Sequence, residues 1–334
     1  MGIFLRWDIT NKCNMNCSHC YNARSRYGKV DKLSPKDIKN IVNKLPVDKI
    51  SSVKLMGGEP FDSENIFLAC DELDHRRIPF GMTTNGNFDI DTYEDLFNLE
   101  MFHYITFSMD GYEEKDARLF RKQLNVHKTL ENIKKIHFRY PKAIMCLNIV
   151  INNINCYKIY DILSFYASLG MTKINVSGLD IINDNIKKYK CSTKELCIAS
   201  EQINAFMNTN KKCAIECAYA CCDMYHLLNS GNLQISFDYR CRAGREIGYI
   251  DSKGNLFPCE AIQRNTDLYQ RMSESGEYSL LEKDFFSIWM NDVFNDVYNF
   301  DVIFRYGNEI TNNKCQKCDY RAQKCGRCYF REKV

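Results

Sequence analysis

At 334 residues the chain can bury one large core or two ordinary ones. Its 45% hydrophobic and 26% charged residues are an ordinary globular balance, and a net charge of +3 asks for neither a nucleic-acid nor a membrane partner. Residues 3–9 are apolar but broken by Arg6 and Asp8, so neither a signal peptide nor a membrane span is read and a cytoplasmic protein is predicted.

From residue 3 to about 180, strand-like and helix-like segments alternate. Strands are predicted at Phe4–Ile9, Ser51–Met56, Pro79–Thr84, Tyr104–Met109, Ile144–Ile151 and Lys173–Ser177, each rich in β-branched or aromatic residues and bounded by Gly, Asn or Asp. Ser34-Pro35-Lys36-Asp37 predicts a helix start: a hydroxyl N-cap, a proline in the first turn and an acid three residues on. Ile38, Ile41, Val42 and Leu45 then keep one face. Asn155 is predicted to open a further helix carrying Ile159, Ile162, Leu163 and Tyr166. Such alternation implies an α/β fold with a parallel sheet and right-handed crossovers, and six repeats predict a partial (β/α)6 TIM barrel. Around residues 181–240 the alternation is predicted to give way to helical segments. From Cys241 cysteines return, and Tyr249–Asp251, Ser252–Asn255 and Leu256–Pro258 predict a small hairpin. The expected organisation is a barrel over 1–180, a helical bridge over 181–240 and a cysteine-organised unit over 241–334.

Eighteen cysteines in a long chain, clustered two to four residues apart, favour metal ligation over disulfides. Cys13-x3-Cys17-x2-Cys20 follows the first predicted strand, at the sheet edge where α/β folds place active sites. Three thiolates on one loop can hold three irons of a 4Fe–4S cluster and leave the fourth open; alternatively they bind zinc with His19 as fourth ligand. Gly57-Gly58-Glu59-Pro60 follows the second strand, Thr83-Thr84-Asn85-Gly86 the third and Ser108-Met109-Asp110-Gly111 the fourth.

In these motifs, taken in chain order, the sequence resembles the radical S-adenosylmethionine (SAM) superfamily. The resemblance implies that Cys13, Cys17 and Cys20 hold a 4Fe–4S cluster whose open iron is chelated by SAM, and that an electron from the cluster cleaves SAM to methionine and a 5′-deoxyadenosyl radical. It also implies a SAM-binding set of His19, Gly57, Gly58, Glu59, Pro60, Asn85, Ser108, Asp110 and Leu179. Glu59 would receive the SAM ammonium, and Arg118 or Arg121 the carboxylate.

Cys241-x12-Gly254-x4-Cys259, then Cys315-x2-Cys318-x6-Cys325-x2-Cys328, resembles the SPASM extension of radical SAM enzymes, which holds one or two auxiliary 4Fe–4S clusters. Six thiols do not fill two four-cysteine clusters. Three arrangements remain: one cluster on Cys241, Cys259, Cys315 and Cys318, as in a shortened "twitch" tail; two clusters, with Cys221 or Cys222 lending a ligand; or a zinc site on the tail cysteines. Cys213, Cys217 and Cys221 recur at helical spacing and are read as core-packing thiols. Cys70, Cys146, Cys156, Cys191 and Cys197 are read as isolated thiols. Glu260 matches the position of a general-base aspartate in the anaerobic sulfatase-maturating enzymes and is the candidate catalytic residue, against the alternative of a solvated surface glutamate.

Relatives with such a tail mostly modify peptides or proteins, which predicts a ribosomal-peptide maturase or sulfatase-maturase-like oxidoreductase giving a crosslinked, epimerised or oxidised residue. The alternatives are a twitch-type dehydrogenase or epimerase of a small molecule such as an aminocyclitol, and a non-catalytic iron–sulfur or zinc protein. Twelve residues precede Cys13, so a peptide substrate is expected to need a separate leader-recognition protein or contacts from residues 181–240. Flavodoxin or ferredoxin is the expected electron donor.

Overall fold

A computed structural model describes residues 2–20, 22, 32–181, 183–219, 241–264 and 266–297, with the backbone alone at 217–219 and 264. Its strands in chain order are β1 (Ile3–Thr10), β2 (Ile50–Gly57), β3 (Phe80–Thr84), β4 (Phe102–Ser108), β5 (Ile144–Ile151), β6 (Lys173–Gly178), β7 (Ala214–Tyr219), β8 (Ile247–Ile250) and β9 (Leu256–Phe257). The helices of ten or more residues among the described ones are α1 (Pro35–Lys44), α2 (Ile66–His75), α3 (Val126–Arg139), α4 (Ile159–Ser168) and α5 (Thr193–Thr209). The six predicted strands stand within two residues of their expected ends. The fold is α/β, a parallel sheet of strands alternating with helices as in a partial barrel. Among the described residues, no helix is long and apolar enough to cross a membrane.

The chain divides into two compact units: residues 1–12, 28–80 and 238–334 form the first, and 13–27 with 81–237 the second. In the first unit the strand order is β2-β1-β8-β9. β1 pairs in parallel with β2 and β8, and β9 turns back antiparallel on β8, with Tyr249 opposite Phe257 as the predicted hairpin requires. Alternation sets the two faces of β1. Leu5, Trp7 and Ile9 are buried on one side, while Arg6, Asp8 and Thr10 share the other. α1 begins as its sequence demands: Ser34 accepts from the Asp37 backbone and Asp37 returns the bond, a capping box ahead of buried Ile38, Ile41 and Val42.

In the second unit the order is β3-β4-β5-β6-β7, and β4 to β7 pair in parallel. Two expectations are corrected here. The strand–helix alternation runs past residue 180, because α5 is followed by β7, which pairs in parallel with β6. Cys217 therefore lies on a strand and not on a helical face; Cys213, just before it, is buried, and burial followed by the Cys146 charge pushes its thiol up to about 11. Asn155 does not cap a helix. It sits in a 3-10 turn ahead of α4 and donates to the carbonyls of Asp110 at 3.0 Å and Val150 at 2.9 Å. Cys70, Cys146, Cys156 and Cys191 are buried and Cys197 is half-buried, yet Cys156 and Cys191 are not isolated, since their thiols share a hydrogen bond.

Candidate active site

Cys13, Cys17 and Cys20 stand on the loop leaving β1, none of them in a disulfide, with Cys17 buried and the other two half-buried. The loop is held by its own polar atoms. Cys20 N–H donates to the Cys17 carbonyl at 3.2 Å, closing a turn between two thiols, and Ser18 N–H donates to the Phe120 carbonyl at 3.0 Å. Asn16 N–H reaches Gln123 Oε1 at 3.1 Å, and Asn183 Nδ2 reaches the Ser18 carbonyl at 3.0 Å. Asn14 is gripped on both sides: Asn85 Nδ2 donates to its Oδ1 at 2.8 Å, and its own Nδ2 donates to the Asn87 carbonyl at 2.9 Å. The predicted TNG turn thus touches the cysteine loop through Asn85.

The turn after β4 supplies the charge. Arg121 Nε donates to Asp110 Oδ2 at 2.9 Å, while Asp110 Oδ1 accepts the Val150 N–H at 2.9 Å; both side chains are buried. Burial works against the guanidinium, but Asp110, then the neighbouring Cys17 and Cys20, more than offset it and hold Arg121 above its ordinary pKa. Arg118 has a different place: it is turned outward to Glu114 and the Lys122 carbonyl. Of the two candidate arginines, the structure brings Arg121 alone to the cysteines. His19 Nε2 lies 3.8 Å from Asp110 Oδ2, and its ring is 4.9 Å from that of Phe120. Phe120 packs in turn with Leu179 and Ile186. Ser108 ends β4, half-buried.

In the first unit the Gly57–Pro60 segment shows why its glycines are needed. Gly58 N–H donates to the Thr10 carbonyl at 2.8 Å and Glu59 N–H to the Lys12 carbonyl at 2.7 Å. A Cβ at Gly58 would overlap the Lys12 carbonyl, and Gly57 holds φ at +125°. Glu59 is buried and accepts the Phe61 N–H at 3.4 Å ahead of Pro60. The same unit carries a second polar group. Glu260 is buried, not solvated; it forms an ion pair with Arg6 and stands 3.2 Å from the Cys259 thiol. Tyr249 O–H donates to buried Asp8 at 2.6 Å and accepts from Gln263. Cys241 and Cys259 are half-buried; Gly244 N–H donates to the Pro258 carbonyl at 3.2 Å, and Arg245 Nη2 donates to the Cys241 carbonyl at 2.7 Å. Cys221, Cys222, Cys315, Cys318, Cys325 and Cys328 lie outside the described residues.

Three thiols on one anchored loop, beside a buried cation, are a fitting donor set for an anionic iron–sulfur cluster. Among the described residues no three His, Cys, Asp or Glu side chains already stand in metal-ligand geometry, so the fit rests on the donor set and its anchoring. Asn14, Phe120, Arg6 and Asp8 were not singled out by sequence reasoning, since each acts through a contact distant in the chain.

The profile of the Radical SAM superfamily matches residues 7–188. A GTP 3′,8-cyclase of Aquifex aeolicus is 26% identical over 192 residues, covering 54% of this chain and 58% of that enzyme, so the chain spans little more than half of this curated relative. Among solved structures, Streptococcus suis SuiB bound to S-adenosylmethionine superposes with a TM-score of 0.76 at 19% identity, over 99% of this chain and 74% of SuiB. SuiB bound to its precursor peptide SuiA gives 0.73, with 99% and 72% coverage at 18% identity. The protein anSMEcpe with bound AdoMet and Cp18Cys peptide gives 0.67 at 13% identity, over 97% of this chain and 89% of that one. These likenesses show the fold, and the profile match covers more than half of the sequence: the chain belongs to the radical SAM superfamily and is a radical SAM enzyme.

Proposed function

We propose that this radical SAM enzyme acts on a peptide or protein, abstracting hydrogen to leave a crosslinked, epimerised or oxidised residue. The observation that carries the reading is the likeness in fold over 97–99% of the chain to two proteins whose structures hold peptides. A 4Fe–4S cluster on Cys13, Cys17 and Cys20, when bound, supplies the electron that cleaves SAM to methionine and the 5′-deoxyadenosyl radical. Around it the chain's own groups bind and orient. Arg121, fixed by Asp110, meets the SAM carboxylate, and Glu59 takes the ammonium on the backbone that Gly57, Gly58 and Pro60 shape. His19 and Leu179 flank the adenine, with Asn85 and Ser108 completing the set. Cys241 and Cys259, with tail cysteines, are proposed to hold one or two auxiliary clusters. Glu260, paired with Arg6, is proposed to accept the substrate proton.

A second reading, a nucleotide substrate, is favoured by the sequence similarity to GTP 3′,8-cyclase. One assay separates them. The reconstituted chain is supplied anaerobically with SAM and dithionite, and 5′-deoxyadenosine is measured with GTP or with short peptides encoded beside its gene. Peptide is expected to raise the product and change mass by an amount fixed by the modification, with GTP inert. Stimulation by GTP and not by peptide sinks the peptide reading. In the same assay Glu260→Gln should keep SAM cleavage and lose at least tenfold in peptide product, in line with the usual worth of a general base; unchanged turnover removes Glu260 from that role.

A further inference from the structure

The second unit's sheet has two unlike faces. On one, Phe107, Leu147, Ile149, Ile174, Val176 and Ile215 are buried, as expected where helices cover a parallel sheet. On the other, the register aligns Ser108, Asn148, Asn175 and Glu216 in one row across β4, β5, β6 and β7. All four are half-buried. A parallel sheet packed on both faces reads as near-continuous apolar strands. A transverse row of polar side chains breaks that rule, and it has the character of a binding-site lining, where a few placed polar groups fix a ligand.

The chemistry of the row is specific. Asn175 Nδ2 donates to Asn148 Oδ1 at 2.9 Å. Each carboxamide has one carbonyl oxygen and two N–H donors, so this bond leaves a donor on Asn148 Nδ2 beside an acceptor on Asn175 Oδ1. Turning both amides over exchanges the two roles and leaves the same pair. Adjacent strands hold the two groups about 4.8 Å apart. A secondary amide is their complement: its carbonyl accepts from one asparagine and its N–H donates to the other. At the row's end Glu216 is bound to Lys173 Nζ at 2.7 Å, so that lysine's charge is already matched and the row is ill suited to a polyphosphate.

We propose that the Asn148–Asn175 pair, between Ser108 and Glu216 in this row, is a substrate-recognition element that binds one peptide group of the substrate. The proposal rests on the peptide reading above and names the backbone, not a side chain, as what this face recognises.

The test uses the anaerobically reconstituted full chain. Fluorescein-labelled decapeptides selected on it from a random display library are titrated by anisotropy, with each backbone N–H replaced in turn by N–CH3. One position is expected to lose about tenfold in affinity, the scale of a hydrogen bond lost with its partner left unpaired. Asn175→Leu should weaken the unmodified peptide by about tenfold, and N-methylation at that position should then have no further effect, because its partner is gone. Should Asn175→Leu not fold, the N-methyl scan of the wild-type chain decides alone. Peptides that bind with no N-methyl-sensitive position overturn the row and leave the peptide reading standing. A chain that selects no peptide but binds a fluorescent GTP analogue overturns that reading, and the row with it.

Discussion

Replacing Cys13, Cys17 and Cys20 together by alanine is expected to abolish 5′-deoxyadenosine formation and to lower bound iron to the amount held elsewhere in the chain. A cluster with an open iron needs three thiolates, and the eight residues Cys13–Cys20 after β1 carry three cysteines outside any disulfide. Among the described residues, Cys70, Cys146 and Cys156 are buried in packed segments and poorly suited to substitute, and Cys70 is pushed well above its ordinary pKa by burial and then by Asp71 and Asp74. Anaerobic product assay and iron analysis read the two effects separately. A zinc loop would instead show zinc in the wild-type chain, no iron difference between the two proteins and no 5′-deoxyadenosine from either.

The second large effect lies in Arg121→Leu. Asp110 is 1% exposed and its carboxylate is held by the Arg121 guanidinium and the Val150 N–H. Removing one partner of a buried ion pair costs about 3–5 kcal/mol, because the remaining charge stays buried without compensation. The urea midpoint should therefore fall sharply. Adding Asp110→Asn in the Arg121→Leu background should recover part of the loss, since it removes the stranded charge; Arg118→Leu, at an exposed ion pair with Glu114, should move the midpoint by well under 1 kcal/mol equivalent. Equal effects from Arg118 and Arg121 would contradict the burial of the Asp110 pair.

Much of this architecture could be read before any coordinates. The strands were legible because β-branched runs ended by Gly, Asn or Asp carry their own boundaries, and α1 because a capping box is a local device. β7 escaped for a physical reason: Ala214–Tyr219 is short and contains a cysteine and a glutamate, so its strand character comes from pairing with β6 and not from its composition. The choice between Arg118 and Arg121 was also beyond sequence, since three residues of spacing do not say which side chain turns inward. The same holds for Glu260, whose burial depends on Arg6, 254 residues away. Motif residues announce chemistry by type and spacing; the residues that hold them, such as Asn14 and Phe120, contribute through contacts that only the fold creates.

The pairing of β1 with β8 also bears on how the chain is made. Phe4 lies opposite Ile247 and Trp7 opposite Ile250. At synthesis rates of about 5–20 residues per second, β8 follows β1 from the ribosome by roughly 10–50 s. β2 can satisfy one side of β1 early, but the other side keeps its backbone donors and acceptors unpaired through that interval, as an open sheet edge with Leu5, Trp7 and Ile9 beside it. The nascent chain is thus most exposed to wrong pairing before β8 emerges, and folding of the first unit is governed by a closure late in translation and costly in chain entropy.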